Sequence, residues 1–136
     1  MRIQQLALIL ALAGLTVTSP LSAMAEQSDQ FKAHEILTNA PNEVEHGSIR
    51  VDEDISEEAL VDLASISIEK AINAARQSIK GKIISAELEE EEGFLVWEVE
   101  VVSESNETIE LKIDAGTGKL LAAEQDEEDA WWQLWD

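Results

Sequence analysis

The sequence predicts an α+β fold, one main helix packed on a three- to four-stranded antiparallel sheet. Two observations carry this. Ile68, Ala71, Ile72, Ala75 and Ile79 recur at steps of three and four, which places them on one helical face. After Gly81 the apolar period drops to two, and it holds through three runs separated by short polar turns.

The helix has its punctuation. Ser65 or Ser67 can cap its start, because a short hydroxyl side chain accepts from a free backbone N–H. Gly81 fits its end, where a left-handed residue is expected. Upstream, Ser56 opens a shorter helical stretch in which Leu60, Leu63 and Ala64 would face the core. In the first strand, Ile84, Ala86 and Leu88 alternate with Ser85, Glu87 and Glu89. Glu92-Gly93 supplies a turn. Leu95, Trp97, Val99 and Val101 then alternate with Val96, Glu98, Glu100 and Val102. Beyond a turn at Ser103 to Asn106, Ile109, Leu111 and Ile113 alternate with Thr108, Glu110 and Lys112. Asp114 to Gly118 makes the next turn, and Leu120 to Ala123 adds a short closing strand. Alternation of this kind means one face buried and one face wet. A helix with one apolar stripe and a sheet with one apolar face bury each other. The core so formed is small and aliphatic, with Trp97 its largest member.

The rest of the 136-residue chain frames this domain. Residues 1–25 read as a signal peptide. Arg2 is followed by the apolar run Leu6 to Leu15, which falls short of the roughly 20 residues a membrane span needs. Ala23-Met24-Ala25 then offers a small-x-small cleavage site, with Ala23 and Ala25 its recognition residues. Residues 26–57 form an acidic, poorly structured lead-in, with a short helix around Phe31, Ile36 and Leu37 and a short strand near Ile49 and Val51. The domain occupies residues 58–125, and an acidic, Trp-rich tail occupies 126–136. These features predict a periplasmic or secreted protein with no stable membrane span after cleavage. With no cysteine, it forms no disulfide and offers no thiol chemistry.

Charge excludes further classes. The formal net charge is −20, and a surface of that sign repels nucleic acid and anionic lipid. Catalysis has no footing either. There is no nucleophile elbow and no zinc-binding His pair. The only histidines, His34 and His46, lie in the lead-in among Glu35, Glu43 and Glu45 without a ligand spacing. The glycine-rich stretch Asp114 to Lys119 lacks the full phosphate-loop spacing. No enzyme activity and no cofactor are expected.

Taken in order, ISIEKAINAARQSIKGKI, ISAELEEEEGFLVWEVEV and KIDAGTGKLL resemble a PepSY domain over roughly residues 60–125. The matching features are Ile66-Ser67, Gly81, Ala86-Glu87-Leu88, Gly93, the strand Trp97 to Val101, and the closing turn Asp114 to Leu120. Trp97 stands where the family often has tyrosine. The resemblance implies a non-catalytic domain of the kind found in propeptides of thermolysin-like metallopeptidases, where it restrains the protease, and in stand-alone exported proteins. It carries over no catalytic residue. This chain has no peptidase domain, so any such action would be in trans on an envelope or secreted protein.

Three surface features are candidates for function. Trp131, Trp132, Leu134 and Trp135 crowd the C-terminal end, and such residues are enriched at interface hot spots. Folding back onto the domain's own core explains them equally well. Lys70, Arg76, Lys80 and Lys82 gather four bases in a stretch free of acids, so the outer side of the main helix would be positive and could dock an acidic partner. Glu87, Glu89, Glu98, Glu100 and Glu110 would share the wet sheet face, where oxygen ligands for a hard cation are the sharp reading and a solvated, edge-protecting surface the plain one. The sequence leaves the oligomeric state open.

Overall fold

The computed structural model describes residues 33–126. The signal segment with Ala23 and Ala25, and the tail with Trp131, Trp132, Leu134 and Trp135, lie outside the described residues. A helix covers residues 33–39 (α1), followed by α2 (Glu57–Leu63) and α3 (Ile68–Ser78). Four strands follow without interruption: β1 (Gly81–Glu91), β2 (Phe94–Ser103), β3 (Thr108–Asp114) and β4 (Leu120–Gln125). They form one antiparallel meander in the order β1-β2-β3-β4. The α+β class and the helix-on-sheet packing are as the periodicity predicts, with the full complement of four strands.

Local chemistry explains the borders. Ser67 caps α3, its hydroxyl accepting from the Lys70 amide at 3.4 Å. Ile66, just before the cap, and Ala71, in the second turn, share the main core cluster, a hydrophobic staple. The tight turn between β1 and β2 holds Glu92 and Gly93 at φ 51° and 82°, the left-handed pair that a two-residue hairpin demands.

The core lies between α3 and the sheet. Ala71, Ala75 and Ile79 meet Val99, Val101, Ile109, Leu111, Ile113 and Ala123, all buried. Alanine at the first two positions lets the helix axis come close to the strands. Ile68, by contrast, is exposed, because Ile66 fills the space at that end of the core and the first helical turn points outward. Leu63 of α2 is exposed too, while Leu60 is buried against Leu95 and Ala115. Trp97 is half-buried and joins the two clusters, donating its indole N–H to the Ile66 carbonyl at 3.2 Å.

Two further residues differ from the sequence expectation. Ile84 was placed in the core by alternation, yet it is 57% exposed. A register shift between Ile83 and Ser85 inserts one extra residue into β1, so Ile83 takes the inward position instead. Gly81 is not a left-handed helix cap. The helix ends at Ile79 in extended backbone, and Gly81 already belongs to β1. A side chain there would collide with the Val102 carbonyl and with Val101, so glycine serves close approach to β2.

From residue 40 to the start of α2 the backbone is largely irregular, but the segment is packed. Ala33 of α1 is buried in the main core. The Pro41 carbonyl accepts from the Ala123 amide of β4 at 3.0 Å, which closes part of an edge strand. Val44 is 3% exposed and forms a second small cluster with Phe94, Val96 and Ala122. Val96 and Ala122 point away from the helix, so the chain covers this half of the nominally wet face. Farther on, Arg50 bridges to Phe94, and Val51 and Ile49 exchange backbone bonds with Gly93 and Leu95.

Truncation separates the two kinds of isoleucine and leucine. Leu111→Ala, at the centre of the core, should lower unfolding free energy by about 2–5 kcal/mol. Ile84→Ala, on the bulge, should stay within about 0.5 kcal/mol of the parent. Chemical denaturation of the two variants measures both.

Candidate functional site

The sheet face opposite α3 carries the densest chemistry among the described residues. Strand register sets it out in rows. Ser85, Glu100, Glu110 and Glu124 form one row across all four strands. Glu87, Glu98, Lys112 and Ala122 form the next. The five carboxylates expected on this face, Glu87, Glu89, Glu98, Glu100 and Glu110, are indeed together on it. Those of Glu89, Glu91 and Glu98 approach within 4.8 Å of one another, and so do those of Glu98, Glu100 and Glu110.

At the centre stands a residue that alternation assigned to water. Lys112 is only 4% exposed. Its Nζ contacts Glu98, lies 3.1 Å from Glu91, 3.5 Å from Glu110 and 3.8 Å from Glu124. Burial pushes the ammonium pKa down, but the hydrogen bonds it donates to Glu98 and Glu91 outweigh that, and the net shift is upward. Lys112 therefore stays charged and brings a covalently tethered cation into the middle of the carboxylates. The surrounding acids respond in turn. Glu89 is raised by burial and by Glu98. Glu110 is pushed up to about 7 by burial, by a hydrogen bond with Glu124 and by the charge of Glu98.

A second constellation sits at the same sheet face's other end, in the turn after β3. Asp114 is 1% exposed, yet its carboxylate is fully engaged. Ser48 donates its backbone N–H at 2.9 Å and its hydroxyl at 2.6 Å. Thr117 does the same at 2.9 and 2.6 Å. Burial alone would raise this carboxyl, but the four donors hold its pKa below the usual carboxylate value. Next to it, the Ala115 carbonyl accepts from both the Ser65 and Ile66 amides at 3.0 Å. Gly116 is required here because a Cβ would occupy the position of the Ser48 hydroxyl.

The basic side of α3 is outward-facing. Lys70 and Arg76 are exposed, and Lys80, also exposed, lies 3.0 Å from Glu104. His34 and His46 are both exposed and 12 residues of chain apart, with no shared cluster. The Trp-rich tail lies outside the described residues.

The helix capped by Ser67, the four-strand meander, and the Asp-Ala-Gly-Thr-Gly turn form one contiguous unit, and a family model matches that unit. Residues 65–124 match PepSY, the peptidase propeptide and YPEB domain. This segment is a PepSY domain. No curated protein and no solved structure matches the chain. The PepSY match begins two residues before the α3 cap and ends within β4, so α1, the irregular stretch after it and α2 fall outside it. Asp114 and Lys112 belong to the PepSY domain, whereas Ser48, the partner that completes the Asp114 site, does not.

Sequence reasoning missed Lys112, Glu91, Glu124, Asp114 and Ser48 as interacting groups. A signal for Lys112 was present: it is the sole base in the alternation of β2 and β3, and the hairpin register sets it opposite Glu98. The Ser48 contact spans 66 residues and has no local signal.

Replacing Lys112 with Met should destabilise the fold by about 3–5 kcal/mol at pH 7, since several half-buried carboxylates lose their counter-charge. The deficit should shrink in acid as those carboxyls take up protons, and denaturation at pH 7 and pH 4 reads both. Asp114→Asn should cost about 1–3 kcal/mol at neutral pH. The Asp114 pKa is lowered by folding, so its contribution is present above the ordinary carboxyl range and is lost as pH falls through the depressed folded value. Wild type and variant should therefore converge below about pH 4.

Proposed function

We propose that this chain is an exported, non-catalytic PepSY module that restrains or accompanies a peptidase, or another envelope protein, by docking in trans. The observation that carries this reading is the PepSY match itself, a domain described by its place in peptidase propeptides. Export rests on the signal segment at residues 1–25. Among the described residues, no helix is long and apolar enough to cross a membrane.

The outer side of α3 is the docking surface this reading favours. It presents Lys70 and Arg76, alongside Glu69, and Lys80 follows just beyond the helix beside Glu104, so on a molecule of net charge −20 an acidic patch on a partner would be repelled least from that side. Trp131, Trp132, Leu134 and Trp135 would add apolar anchors. The rival reading, a cation-binding or sensory accessory acting through Glu87, Glu89, Glu98, Glu100 and Glu110, is weakened by Lys112, which already supplies a positive charge to that face.

A direct assay tests the proposal. Residues 26–136 are added to thermolysin-type metallopeptidases with a fluorogenic peptide substrate. Concentration-dependent inhibition is expected, weakened at least tenfold by Lys70→Glu/Arg76→Glu/Lys80→Glu. Unchanged hydrolysis across such a panel, together with calcium binding by titration calorimetry, would instead favour the accessory reading.

A further inference from the structure

Four acidic residues, Asp126 to Asp129, follow directly on β4, and no base accompanies them from there to residue 136. The point at which this run leaves the sheet is fixed. The Asp126 amide donates to the Thr108 carbonyl at 3.0 Å. Thr108 pairs with Val102, and Val102 pairs with Lys82. The run therefore starts in the same row as Lys82, at the end of the sheet where β2 turns into β3. Across that end lies an open cleft of about 450 Å³, lined by Lys80, Gly81, Lys82, Ser103, Glu104 and Asn106. We propose that Glu127, Glu128 and Asp129 dock in this cleft as an intramolecular strap, with their carboxylates against Lys80 and Lys82.

Reach permits it. Three strand spacings separate Asp126 from Lys82 along the row, about 14 Å in all. An extended chain covers about 10 Å between Asp126 and Asp129, and the long Lys and Glu side chains span the remainder. Charge favours it. Both lysines are exposed, and Lys82 has no carboxylate within ion-pair distance among the described residues. Lys80 lies 3.0 Å from Glu104, yet its side chain is still 60% exposed. Glu104 and Glu107, in the turn before β3, oppose the approach. Glu107 is already turned to the Ser105 hydroxyl at 2.7 Å, and Glu104 to Lys80, so neither is directed at the incoming run.

Other bases are placed differently. Lys112 is enclosed by carboxylates, Arg50 stacks on the Phe94 ring, and Lys119 lies at the opposite end of β4 from Asp126. The strap stands without the trans-docking reading. Under that reading Lys80 is common to both, so the tail and an acidic partner exclude each other there. Its charges are exposed, so salt weakens the contact.

A spin label in the tail tests the strap. The chain has no cysteine, so Ala130→Cys gives a nitroxide one attachment point, next to the run and clear of its charges. His34 and Leu37 are the internal reference, because they line a cavity with Gln125 on another side of the strand end. In NMR spectra of the isotope-labelled protein at low salt, the Lys80, Gly81 and Lys82 amides should lose most of their intensity, and far more than those of His34 and Leu37. About 1 M salt, which shortens the screening length to about 3 Å, should abolish the difference. Glu127→Gln/Glu128→Gln/Asp129→Asn, which changes only the tail, should abolish it at low salt. Equal broadening on both sides, or a difference that survives the neutral tail, overturns the proposal. Broadening between a spin-labelled copy and a separate isotope-labelled copy overturns it too, since a second molecule is then the occupant. None of these readouts involves a peptidase, so failure of the strap is distinguishable from failure of the trans-docking reading.

Discussion

The Asp114 carboxylate is the point at which three distant parts of the chain are joined. It accepts from Ser48 in the lead-in and from Thr117 in its own turn. The adjacent Ala115 carbonyl holds the segment entering α3, and the Ala115 amide donates to Leu95 of β2. Buried and, among the described residues, without a basic partner, the carboxylate tolerates its charge because both oxygens accept hydrogen bonds. That requirement fixes the turn, since Thr117 must reach back, Gly116 must leave room for Ser48, and Gly118 must take a positive φ of 78°. Placement of α3 over the sheet follows from the same junction, through the Ser65 and Ile66 amides.

A four-stranded sheet with one main helix leaves a second face to be dealt with, and this chain uses two solutions. At the hairpin end, the lead-in lays Val44 over Phe94, Val96 and Ala122. Toward the other end, the face is closed by charge, with Lys112 ringed by carboxyl groups. A buried ion pair of this sort adds little over a packed apolar side chain, but breaking it is costly. It therefore constrains the register strongly: only the observed pairing puts Lys112 opposite Glu98. The two sheet edges are handled differently as well. Pro41 caps part of β4, while β1 is marked by its bulge and by the run Glu89 to Glu92.

How much of this could be read from the sequence follows from the range of each interaction. The helix, the turns and the four strands are local patterns, and the periods of 3.6 and 2 disclosed them. Ile84 misled because a bulge shifts the phase without changing composition. Val96 and Lys112 misled because alternation assigns a face but does not say whether that face is wet. Val44 covers one and a ring of acids encloses the other, and both coverings come from residues far along the chain. Ser48 and Asp114 show the limit most clearly, since a contact across 66 residues between two ordinary polar side chains leaves no periodic trace. The carboxylate face itself was legible, but its central cation was not, because cross-strand pairing has to be counted from the turns before Lys112 meets Glu98.

These arrangements bear on how such a domain would act without being joined to its target. A propeptide is delivered by its covalent link, whereas a separate chain depends on encounter. With a net charge of −20, most of this surface repels an acidic partner, and the carboxylates around Lys112 are already committed within the fold. Under the proposed reading, Lys70 and Arg76 make the outer side of α3 the part where that repulsion would be weakest. Stronger long-range repulsion elsewhere would then favour one orientation of approach, an effect on association rate that weakens as salt is added. Under the proposed reading, the acidic composition then contributes to specificity as well as to solubility: it leaves one helix face as the productive route to contact.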